Sequence, residues 1–149
     1  MTPFITAGAG FLLAVLWFDL MFDVQTVGVR GEQLPEPVLA SIAAYYGRVT
    51  TAARPMNRLV AAAMLLTLGT IIAQIARGER AAWVGWVSLA LAGVAIVLAG
   101  ARTVPHAVRL GSRRDSPPAQ TALARSILSD HLVCAAAIVG VLAIQLSGA

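Results

Sequence analysis

The chain has 149 residues, of which 58% are hydrophobic and 12% charged, and its mean hydropathy is +0.79. That balance excludes an ordinary soluble domain and marks an integral membrane protein. The formal net charge of +4 rests on arginine alone, because the chain has no lysine, and it reads as a topology signal with attraction to anionic lipid rather than as a nucleic-acid footprint.

The first apolar run, Pro3 to Phe18, covers roughly 24 Å as a helix, short of the ~30 Å hydrocarbon thickness. Asp19 therefore falls inside the membrane, and Asp23 follows four residues later on the same helix face. A charge at that depth costs at least ~2.5 kcal/mol on insertion scales unless it is paired, neutralised or wetted, which makes both aspartates functional candidates. The run has no basic residue before it and ends in aspartate, so it reads as a retained span, approximately residues 3–23, and not as a cleaved signal.

Val27 to Pro37 is turn-forming. Leu39, Ile42, Ala43, Tyr46 and Val49 then recur at helical spacing and predict a short interfacial helix over approximately 38–53, with Tyr45 and Tyr46 in an aromatic belt. Pro55 sets a boundary or kink before span two, approximately 56–76. A tight turn leads to span three, approximately 81–101, anchored by Trp83 and Trp86; Pro105 lies in a helical extension to Leu110. Gly111 to Pro118 is the last loop before span four, approximately 127–147, with Ser126 and Ser129 as helix-start residues and Cys134 as a small buried hydrophobe.

These elements predict an all-α fold: a single membrane domain, an integral membrane four-helix bundle. Nine of the eleven arginines lie in the two long loops and only Arg77 and Arg80 in the short turn, so both termini are expected to be extracytoplasmic. The expected location is a bacterial-type inner (plasma) membrane, crossed several times.

All four spans bring polar groups to one cytoplasmic-side layer. Span one supplies Asp19 and Asp23, span two Arg54, Asn57 and Arg58, span three Arg102, His106 and Arg109, and span four Asp130 and His131. Three uses of such a layer stand open: carboxylate–guanidinium pairs that lock the bundle, a small pocket for a molecule with a polar group and an apolar body, or a proton or ion pathway. In the pocket reading, His106 and His131 are the candidate catalytic bases. Asp19, Asp23, Arg54, Asn57, Arg102, Arg109 and Asp130 are then the candidate substrate-binding residues. No metal site is expected, because the Glu and Glu-x-x-His pattern of bundle metal centres is missing and Asp130 and His131 diverge on their helix. No cofactor is indicated.

Tyr45-Tyr46, Arg54-Pro55-Met-Asn57, Pro105-His-Ala-Val-Arg-Leu110 and Ala122-Leu-Ala-Arg125, set in four spans, resemble the small four-helix membrane proteins grouped with anthrone oxygenase. The resemblance implies oxidation of polycyclic aromatic anthrones by oxygen without an evident cofactor. The functional expectation is an oxidoreductase-like or binding role toward a lipophilic or aromatic small molecule. The alternative is a non-catalytic accessory subunit or small transporter. Membrane lipid, a lipophilic small molecule and a second copy of the chain are the expected partners, and nucleic acid is not.

Overall fold

The computed structural model describes residues 1–29, 31–52 and 54–147, with the side chain of Arg54 outside that description. Among the described residues there is no strand. Six α-helices follow in order: α1 (Thr2–Asp23), α2 (Glu36–Gly47), α3 (Arg54–Arg77), α4 (Ala82–Leu98), α5 (Val104–Gly111) and α6 (Pro117–Leu146). Proline opens α1, α2 and α6, where a missing N–H costs no hydrogen bond.

Two prolines that fall inside helical runs set the irregular places. A proline ring crowds the carbonyl one turn earlier, and a wider turn relieves the clash. Upstream of Pro55 the chain makes a π-helical turn at Arg48–Ala52, and upstream of Pro105 another at Ala99–Thr103. Side chains also bond carbonyls at these turns: the Asn57 amide donates to Thr50 O at 2.8 Å and the Thr103 hydroxyl to Leu98 O at 3.3 Å. Helix α5 is thus the continuation of α4, displaced by one wide turn.

Among the described residues four stretches are long and apolar enough to cross a membrane: Thr2–Thr26, Pro55–Arg77, Ala82–Gly111 and Pro117–Leu146. Their outer faces carry large apolar side chains, among them Phe4 at 71% and Leu66 at 70% exposure, as lipid-facing helices require. Helix α6 packs on α1 and α4, α1 also on α3, and α3 on α4. Close approach is permitted at Gly8, where an added Cβ would strike the Thr67 hydroxyl, and at Gly85 against Ile75.

The core is in two parts. Ile5, Leu12, Ile71, Ala92, Ile138 and Val141 fill the membrane bundle. A second cluster, around Leu39, Ile42, Leu110, Leu123 and Ile127, unites α2, α5 and the first third of α6. Helix α6 serves both because its 30 residues reach about 45 Å, beyond the ~30 Å of hydrocarbon. The fourth long helix therefore begins at Pro117, ten residues before Ile127. Ser126 and Ser129 lie within it and do not start it. The three helices form a cap at one end of the bundle, and α2 is packed into that cap against α5 and α6.

Candidate functional site

Where the membrane core meets the cap core, the ionisable side chains form a seam. Helix α1 presents Asp19 and Asp23 one turn apart, and α6 presents His131 between them. His131 Nδ1 lies 2.6 Å from Asp23 Oδ2, and Nε2 lies 3.8 Å from Asp19 Oδ2. Helix α2 closes the group from above. The Tyr46 hydroxyl donates to Asp23 Oδ1 at 2.6 Å and the Tyr45 hydroxyl to Asp19 Oδ1 at 2.7 Å. Tyr45 also stacks on Phe22, with ring centroids 4.0 Å apart.

The two tyrosines are thus seam residues, in place of the expected aromatic belt. Burial, reinforced by the charge of Asp23 beside Tyr46 and of Asp19 beside Tyr45, holds both phenols above their ordinary value. They remain donors at neutral pH. Asp23 is fully buried, whereas the Asp19 side chain keeps 16% exposure.

Asp130 turns away from its neighbour His131. It forms an ion pair with Arg102, whose Nη2 is 2.8 Å from Oδ1, and accepts from the Thr103 hydroxyl at 3.3 Å, both partners lying within the π-helical turn Ala99–Thr103. Arg102 Nη2 also reaches Ser126 Oγ at 3.1 Å, and Ser126 Oγ is 3.2 Å from His106 Nδ1. The π-helical turn is what brings Arg102 and Thr103 onto α6.

The expected pairing of Asp19 and Asp23 with arginines is therefore corrected: their partners are His131 and two tyrosines, and Arg102 serves Asp130 instead. Tyrosine outcompetes guanidinium there because α2 folds back as part of the cap and lays Tyr45 and Tyr46 directly over α1. Arg109 lies outside the seam and makes a two-pronged bond to Asp115, both contacts 2.8 Å. Asn57 bonds the Thr50 carbonyl, and Arg54 lies outside the described side chains. Cys134 is buried, and among the described residues no three His, Cys, Asp or Glu side chains converge as metal ligands.

A second polar group at the opposite end of the bundle is absent from the sequence-based expectations. Gln74 and Gln145 exchange amide hydrogen bonds at 3.2 and 3.0 Å, Gln145 donates to Ser88 at 3.0 Å, and Gln74 donates to Thr2 at 3.2 Å. Its signal was available: each of spans two, three and four carries one of these polar side chains within an apolar window. Uncharged amides stand out less than aspartates against leucine and alanine.

No curated protein and no solved structure matches the chain. A family model, SHR3 chaperone, described as ER membrane protein SH3, matches residues 1–148. That match overturns the resemblance to anthrone oxygenase, which rested on scattered short strings in otherwise common membrane letters. It also replaces the expected bacterial-type inner membrane, since the family's description is of an ER membrane protein. With the match running from one end of the chain to the other, four long apolar helices and a self-paired polar seam are features of a protein that belongs to the SHR3 chaperone family.

Proposed function

We propose that the chain is a non-catalytic accessory of the membrane that shelters the apolar helices of other membrane proteins. The observation that carries this reading is the seam itself. Asp23, His131 and Tyr46 are buried and bonded to one another across α1, α2 and α6, as a brace would be. Both ring nitrogens of His131 face carboxylates, and His106 is engaged with Ser126, so neither imidazole is poised toward a substrate. The family supports the accessory reading over an oxidoreductase-like one.

A brace of this kind fixes the cap on the bundle and leaves the outer faces of the long helices for partners. Photo-crosslinking groups at the exposed positions Val97 and Leu132 test it in microsomes. The expected result is adducts with newly made multi-span membrane proteins. Adducts with lipid only, together with turnover of an anthrone by the purified protein that is lost in His131→Gln, would overturn it.

A further inference from the structure

Helix α1 is held in two different ways along its length. Its first half is buried through Ile5, Ala9 and Leu12, and after Leu12 the next buried side chain is Asp23. Leu13 and Leu16 pack on the bundle core only in part, while Trp17, Phe18 and Met21 are exposed. The last turn of α1 is therefore tied down by the carboxylates of Asp19 and Asp23 and by the Phe22–Tyr45 stack. Just beyond it the chain bends through Gly28 and Gly31, with φ of 81° and 135°, backbone that residues with a side chain rarely adopt.

Two carboxylates one turn apart repel each other, and His131 is set between them. Its Nδ1 faces Asp23 at 2.6 Å and its Nε2 faces Asp19 at 3.8 Å. A neutral imidazole has one N–H and turns a lone pair toward one of the two acids, whereas the imidazolium offers an N–H to both and supplies a positive charge. The other groups around the ring do not replace that charge. From α2, Tyr46 lies 3.5 Å from Nδ1 but donates to Asp23, and Tyr45 donates to Asp19. Asp130, next to His131 on α6, is engaged by Arg102 and Thr103 of the π-helical turn, and His106 of α5 is engaged by Ser126. Among the described residues the arginine ion pairs go to Glu36, Glu79, Asp115 and Asp130, and none to Asp19 or Asp23.

We propose that one proton on His131 latches the last turn of α1 onto α2 and α6, and that its loss to solvent as pH rises releases that turn. With the proton in place, one cation sits between the two acids. Without it, two ionised carboxylates share a single N–H, and the bend at Gly28 and Gly31 lets the end of α1 move away. The latch is closed where His131 is protonated and the aspartates are ionised, and it opens toward alkaline pH. It presupposes that the seam is the brace of the accessory reading, and it makes that brace sensitive to pH.

Nitrogen-15 NMR of the full chain, labelled at histidine and held in lipid nanodiscs, reads the ring directly. The chain has two histidines, so His106→Gln isolates the His131 signals. His131 should carry a proton on both ring nitrogens at neutral pH. Over the pH range in which one of them leaves, the Asp19–Thr26 amides should lose about tenfold in protection, measured against their intrinsic exchange rates, while the Ile5–Leu12 amides keep theirs. His131→Gln, which offers one donor and no charge, should show the lower protection already at neutral pH. Asp19→Asn leaves one acid to serve, so its His131 should give up the proton at lower pH; this variant and the wild-type titration decide the matter even if His131→Gln does not fold. A neutral ring in wild type at neutral pH, protection of Asp19–Thr26 that survives loss of the proton, or an Asp19→Asn ring that titrates as in wild type would each overturn the latch. None of these measurements involves a client protein, so their failure leaves the accessory reading to the crosslinking result alone.

Discussion

Asp19 and Asp23 are one helical turn apart and hold very different amounts of structure. Asp23 is fully buried and bonds two groups at 2.6 Å, His131 and Tyr46. Asp23→Asn should break the buried pairing with His131 and weaken the bond from Tyr46, and cost roughly 3–5 kcal/mol in unfolding measured in detergent. Asp19 is partly exposed and 3.8 Å from His131, so Asp19→Asn should cost nearer ~1 kcal/mol. Equal losses for the two would mean that the seam is not anchored on Asp23. The aspartates were legible from the sequence because a carboxylate within an apolar run is conspicuous. Their partners were not, because opposite formal charges favour arginine on paper whereas only the folded position of α2 shows that tyrosines lie closer.

At the scale of elements, the cap depends on a backbone contact that no hydropathy pattern displays. A Cβ at Gly111 would lie 2.6 Å from Gly47 N and 3.1 Å from the Tyr46 carbonyl carbon, so α2 and α5 touch main chain to main chain. Backbone atoms cannot swing aside. Gly111→Ala should therefore cost about 1–3 kcal/mol and loosen the Tyr46 bond, read as faster hydrogen exchange in α2. Gly93→Ala, which meets open space, should leave exchange there unchanged. The turn from α5 to α6 is held differently. Arg109 bonds Asp115 and holds its carboxyl below the ordinary value of 3.8, so this clasp contributes at neutral pH and is lost as pH falls through the lowered value. Acid should lower the protection of the Ser112–Ser116 amides, measured against their intrinsic exchange rates, in wild type, and Asp115→Asn should show the lower protection already at neutral pH. The long helices themselves were readable as unbroken apolar runs. The π-helical turns were only hinted at by Pro55 and Pro105, since a proline announces a disturbance without saying how the chain absorbs it.

For the whole molecule, fold class followed from composition and run length, while the division into a membrane core and a cap did not. Leu39, Ile42, Leu110 and Leu123 are as apolar as any bundle residue, and only the 30-residue length of α6 separates the two cores. Which side of the membrane carries the cap depends on charge. Four crossings would put both ends of the chain on one side, and nine arginines in the sequence between spans one and two and between spans three and four, against two between spans two and three, favour a cytoplasmic cap. In an ER membrane the chain ends are then expected to face the lumen. A glycosylation acceptor appended to the C-terminus should accordingly be modified in microsomes, while an acceptor inserted between Ser112 and Ser116 should not. Modification of the inserted acceptor alone would invert the molecule.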